Sequence, residues 1–206
     1  MACITRLRAP LRTLTLTARV TPALARANST LAPGSSQDPS HPHLYYHPSP
    51  TGATTPTHMT LSFLPRPPAV ASSKCVLGTL PALPDAGLND FVENRAFRPL
   101  LHAALKDGLA TAGVAETVEY EAQMRPGDGY MHVTDERAVP PAGRIGDTED
   151  LIASVFVQDG KIVASTYEPS PSYRLVTNRG VLLLPRGLDT HVIKALEKVD
   201  AEERGE

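Results

Sequence analysis

The residues with the most chemical potential lie together in GYMHVTDERAVPPAGRIGD, Gly129 to Asp147. His132 is a candidate general base, Asp135 or Glu136 could orient it, and Arg137 or Arg144 could hold an anion. Tyr173 and Arg174, in PSYRL further along the chain, add a phenol and another cation. The spacing works against a catalytic group. In a strand, residues 132 and 135 point to opposite faces, so they meet only across a turn. No Ser or Cys stands in a nucleophile context such as GxSxG, and no HExxH offers a metal pair. The sequence therefore assigns no catalytic residue, no cofactor and no metal. It marks His132, Asp135, Arg137, Arg144, Tyr173 and Arg174 as a candidate functional surface.

Gly143-Arg144-Ile145-Gly146 is a GxxG, the form of a KH-type clamp on a nucleic-acid backbone. Pro140-Pro141 precede it, and Asp147, Glu149 and Asp150 follow, so carboxylates would oppose a phosphate there. The preferred reading of the stretch is structural. Its prolines stiffen a bend, its glycines permit tight turns, and Arg137 and Arg144 pair with Asp135, Glu136 or Asp147. The result is an ordered loop that delivers the chain into a central strand at Leu151. Ordered loops of this kind are frequent binding surfaces.

The elements around this stretch read as α+β. Phe97, Leu100, Leu101, Leu105 and Leu109 recur at three- and four-residue steps, which predicts a helix over 94–112 with Asn94 as its cap. VAETVEYEAQM fits a helix or a strand equally well. LIASVFV, Asp159-Gly160 and KIVAST form a β-hairpin signal, and the doubly apolar LIASVFV belongs in the centre of a sheet. SYRLVT and VLLLP, joined through Gly180, predict a second hairpin, and YMHV a fifth strand. Val192, Ile193, Leu196 and Val199 give the stripe of a last helix over 189–203. The expected domain, residues 75–206, is thus a small antiparallel sheet of four to five strands with helices packed on one face.

The front of the chain has a different character. Residues 1–74 carry seven basic residues and one acid, whereas residues 75–206 carry thirteen and twenty-one. A domain of net charge −8 repels nucleic acid unless its cations cluster locally. Residues 1–27 hold five arginines, no acid and many hydroxyl residues, the composition of a mitochondrial presequence. Arg12 and Arg19 break any run long enough for a secretory signal, and no stretch is long and apolar enough to span a membrane. Residues 28–74, rich in Pro, Ser, Thr and Gly, predict a disordered linker or arm. LSFLPRPP within it is either an arm packed on the domain or a partner-binding segment. His41, His43, His47 and His58 lack Cys or carboxylate companions at ligand spacing and are read as incidental. Cys75 is read as a small buried residue.

Tyr130–His132, Asp135–Arg137, Gly143–Asp147 and Pro171–Leu175, in this order, resemble an uncharacterised group of fungal proteins. The likeness spans about residues 88–200 and carries no functional motif. It implies a shared fold and a fungal origin, and no reaction. The expected function is that of a soluble mitochondrial accessory or assembly protein that binds another protein, without its own catalysis. The alternative is an enzyme or small-molecule binder that uses the 129–147 loop.

Overall fold

The computed structural model describes residues 31–49, 57–140 and 144–206. Two antiparallel sheets are built from two parts of the chain. The first sheet joins β1 (Ser36–Gln37), β2 (Tyr45–Pro48), β3 (His58–Ser62), β4 (Val76–Pro81) and β5 (Val92–Glu93) in sequential order. The second joins β6 (Gly129–Thr134), β7 (Leu151–Gln158) and β8 (Lys161–Pro169), with β7 in the middle. A separate short hairpin pairs β9 (Val176–Thr177) with β10 (Gly180–Val181). Among the described residues, three helices complete an α+β fold: α1 (Phe97–Ala110), α2 (Glu116–Met124) and α3 (Leu188–Arg204). Helices α1 and α2 lie against β8, and α3 lies against α1.

The reading of 28–74 as a linker is corrected: it supplies β1, β2 and β3 of the five-stranded sheet, and the compact unit runs from Leu31 rather than from Cys75. The segment is poor in large apolar residues, but it spends them well. Leu44, Leu61, Phe63 and Leu64 are all buried, and the Phe63 ring meets Phe97 of α1 edge-on at 6.3 Å. Strand pairing satisfies the backbone, so the segment needs few apolar side chains to reach the core. His47 is a core residue in this sheet. Its two ring nitrogens lie 2.9 Å from Ser35 Oγ and 2.9 Å from the Leu64 carbonyl. Among the described residues no group of His, Cys, Asp or Glu could hold a metal. Residues 1–27, read as a presequence, lie outside the described residues.

The β7–β8 hairpin follows from the Asp-Gly turn. Asp159 (φ 48°) and Gly160 (φ 71°) both take the left-handed conformation that a two-residue hairpin requires. The second hairpin is shorter than VLLLP suggests, and it joins neither larger sheet. The Leu182 amide still donates to the Leu175 carbonyl at 2.8 Å, and the Leu182 and Leu184 side chains are buried in the core. Both predicted long helices form, and VAETVEYEAQM resolves as α2, burying Val118 and Ala122. Asn94 ties the start of α1 to the first sheet, donating to the Ser73 and Val76 carbonyls at 2.9 and 2.8 Å. Gly187 precedes α3 at φ 90°, where a Cβ would stand 1.8 Å from the Val114 carbonyl oxygen.

The far end of α3 reaches back to the first sheet. Arg204 donates to the Pro67 carbonyl, Glu203 accepts from the Lys74 amide at 3.0 Å, and the Cys75 thiol donates to the Leu196 carbonyl at 3.3 Å. Burial pushes that thiol up to about 11, so it stays protonated and unreactive at neutral pH. No described helix is long and apolar enough to cross a membrane.

Candidate functional site

Strand β6 carries His132 into the stretch of interest, and Asp135 ends it. The Asp135 amide donates to the Asp150 carbonyl at 2.9 Å, and its carboxylate caps a single turn over Glu136–Ala138 by accepting from the Arg137 amide. This turn swings the Arg137 side chain under β9 and β10. There the guanidinium is 3% exposed and finds an acceptor for each of its donors. Nε reaches Asp150 at 2.9 Å, Nη1 reaches the Leu175 and Gly180 carbonyls at 3.0 and 3.5 Å, and Nη2 reaches the Arg174 and Glu149 carbonyls at 2.7 and 3.2 Å. It also lies over the Tyr173 ring, 5.6 Å from the centroid.

The acids around Arg137 are equally committed. Asp135 accepts from the Tyr173 hydroxyl at 2.8 Å and the Leu183 amide at 3.0 Å. Burial pushes its carboxyl above the ordinary range, against the pull of Arg137 and of these hydrogen bonds. Burial, together with the Asp135 charge, holds the Tyr173 phenol well above its ordinary value, so it remains a donor. Asp150 takes Arg137 on one oxygen and Arg179 on the other, and Arg179 also binds Asp147. The chain Asp135–Arg137–Asp150–Arg179–Asp147 runs from a buried carboxylate to an exposed one. Every guanidinium N–H of Arg137 is taken, and each oxygen of Asp135 and Asp150 accepts at least one bond.

His132 and Arg144 lie elsewhere. They line a cavity of about 370 Å³ beside β6, walled by Thr117 and Glu121 of α2, by Arg125 just past its end, and by Val139, Pro140 and Ile145 after β6. His132 Nδ1 stands 2.9 Å from Ser154 Oγ on β7. Glu121 and Glu136 both line this cavity. Burial and then the Glu136 charge push the Glu121 carboxyl upward. No salt bridge forms to Glu121, Glu136, Arg125 or Arg144 among the described residues.

The floor of this cavity is a sheet edge, because among the described residues β6 pairs only with β7. The main-chain groups of Tyr130, His132 and Thr134 point away from β7. Asp135 donates into the sheet, and alternation along the strand turns residues 134, 132 and 130 the other way. Independently, the Tyr130 carbonyl accepts from Arg125 of the flanking turn at 3.1 Å. Side chains agree with this register. His132–Ser154 and Tyr130–Phe156 are in contact across the strands, as in the closer, non-hydrogen-bonded pairs.

No protein-family model, no curated protein and no solved structure matches this chain. The reading rests on the geometry.

The six residues singled out in the sequence thus divide three ways. Asp135, Arg137 and Tyr173 form the buried network, His132 and Arg144 face the cavity, and Arg174 is exposed and contributes a carbonyl to Arg137. The expected pairing of Arg137 with Asp135 is present at 3.4 Å, but Asp147 pairs with Arg179 rather than with Arg144. Asp150 and Arg179 belong to the network and were not singled out. Nor were Glu121 and Arg125, whose helix was left undecided. An RNA surface would need Arg137, Arg144, Arg174 and Arg179 on one acid-free face. Instead Arg137 is buried and Arg179 is held by two aspartates.

Proposed function

We propose that this chain is a mitochondrial accessory or assembly protein that binds another protein, and that it engages its partner through the groove along β6, without catalysis of its own. The observation that carries this reading is the rim of the groove. Val139 and Ile145 are each 72% exposed beside an open strand edge, where a lone soluble domain gains nothing from displaying them. The saturation of Arg137 supports it, since the most reactive-looking residues are committed to holding the loop in place. The paired arginines argue for a protein rather than a nucleic acid as partner. Import to the matrix is inferred from the Arg-rich, acid-free residues 1–27. The resemblance to an uncharacterised fungal group adds no activity to this reading.

The test is affinity capture from mitochondria with the full chain and with a Val139→Asp/Ile145→Asp variant of unchanged circular dichroism. A partner held reproducibly by the first and lost by the second is expected. An identical captured set from both, or no reproducible partner, overturns the proposal. Residues 1–27 fused to a fluorescent protein should direct it to mitochondria; a cytosolic signal removes the compartment from the reading.

One contact favours a second reading, an enzyme or small-molecule binder at the same groove. A histidine bonded to a serine hydroxyl is the start of an activated nucleophile. Covalent labelling by a fluorophosphonate probe that disappears in Ser154→Ala would support it. An unlabelled wild-type chain rejects it.

A further inference from the structure

We infer that the occupant of the β6 groove is an extended, strand-forming segment of the partner, which adds to the sheet as a fourth strand and places a lysine or arginine between Glu121 and Glu136. This rests on the protein-binding reading and specifies what is bound.

Exposed strand edges are normally blunted by proline, by an inward charge or by a cover. Here β6 has neither a proline nor a Lys, Arg, Asp or Glu in Gly129–Thr134, and the irregularity in its pairing with β7, between Val133 and Thr134, leaves the extra residue, Ile152, on β7 rather than on the β6 edge. Its edge lies at the floor of a walled channel. Arg125 occupies the Tyr130 carbonyl and so closes one end. That leaves the outward N–H and C=O groups of His132 and Thr134 as the open stretch. No bond to them from the flanking turns and loops is present among the described residues. A cavity of about 370 Å³ lies along this stretch, with Met131 to Thr134 in its lining.

The walls choose the occupant. A second copy of the chain would bring its own α2, Val139, Pro140 and Ile145 to the same edge, which is already flanked by those groups. A polyproline segment lacks the amide donors that the His132 and Thr134 carbonyls require. Charge selects among the remaining strands. Glu121 and Glu136 share the channel without a cation bonded to either, and their mutual repulsion is relieved by a basic side chain. Alternation then puts apolar neighbours of that residue on the opposite face of the added strand, toward the loop wall with Val139 and Ile145.

The test uses a fluorescent, acetylated hexapeptide of alternating valine and lysine, titrated by anisotropy onto the full chain. Saturable binding is expected. N-methylation of alternate amides keeps every side chain and deletes the ladder donors, and should weaken binding about tenfold or more. Replacing lysine by glutamate in the peptide should abolish binding. Glu121→Gln/Glu136→Gln should weaken the lysine peptide severalfold and remove the penalty on the glutamate peptide. Hydrogen exchange at the His132 and Thr134 amides should slow on binding. Equal affinity for the N-methylated peptide, no charge preference, or no saturable binding at millimolar peptide overturns this inference. In those cases, loss of the captured partner in Val139→Asp/Ile145→Asp would still uphold the protein-binding reading.

Discussion

Replacing Arg137 by methionine removes the cation at the centre of the loop while keeping most of its apolar stem. Two carboxylates, Asp135 and Asp150, have side chains with no exposed surface and would lose a partner. Arg179 still reaches Asp150, but from a guanidinium that is 43% exposed, and Asp135 keeps only neutral donors. Four carbonyls, those of Glu149, Arg174, Leu175 and Gly180, also lose a donor. Breaking one side of a buried ion pair costs about 3–5 kcal/mol, a large part of the roughly 5–15 kcal/mol that holds a domain together. Arg137→Lys should recover only part of this, because an ammonium cannot span acceptors from β9, β10 and the Glu149–Asp150 turn at once. Arg144→Met, at the exposed rim, should cost no more than about 0.5 kcal/mol. The assay is urea unfolding followed by circular dichroism, with slopes compared to confirm a common unfolded state. An Arg137→Met variant within about 1 kcal/mol of wild type would refute the claim that this arginine is a structural keystone. It would return Arg137 to the set of residues available for chemistry.

Three other perturbations have definite outcomes. Phe63→Ala should lose about 3 kcal/mol or more in the same unfolding assay; a negligible loss would mean that the 58–64 segment does not pack as described. Gly187→Ala should cost more than about 2 kcal/mol in thermal unfolding, because the position combines φ 90° with a Cβ collision on the Val114 carbonyl. His102 is depressed to about 4, by burial and then by the nearby Arg98 charge. The folded state therefore binds its proton less readily than the unfolded chain. Its contribution is present above about 6.5 and is lost as pH falls from there through about 4, with a slope below about 1.4 kcal/mol per pH unit because His102 is partly exposed. His102→Gln should flatten the stability-versus-pH curve in that window. An unchanged curve would show that His102 is not depressed.

Local signals in the sequence carried through where the physics is local. The Asp159-Gly160 turn needs two left-handed residues and little else, so its hairpin was legible. The apolar stripes of α1 and α3 were legible because burial repeats with the helix period. The separation of His132 from Asp135 followed from strand alternation alone. The first sheet was not legible, because its strands run only two to six residues, with prolines ending two of them, and residues 31–64 bring only Leu44, Leu61, Phe63 and Leu64 as buried large apolar side chains. Averaged composition hides such a design. The network was half legible. Charged residues at 135, 137 and 147 announced ion pairs, but Arg137 binds carbonyls 37 and 38 residues away, and only the tertiary fold decides that. The groove was missed because it needs α2 as a wall, and ETVEYEAQM carries too weak a period to declare itself.

The clasp between α3 and the first sheet has a consequence for how the chain becomes complete. Cys75 is sealed by a carbonyl 121 residues downstream, and Pro67 by an arginine 137 residues downstream. During synthesis from the N-terminus, the connection between β3 and β4 emerges well before the helix that binds it. The bonds to Pro67, Lys74 and Cys75 must therefore wait until the second half of α3 arrives. Truncation by a few residues at the C-terminus would act on the opposite end of the sequence, removing the partner of Pro67.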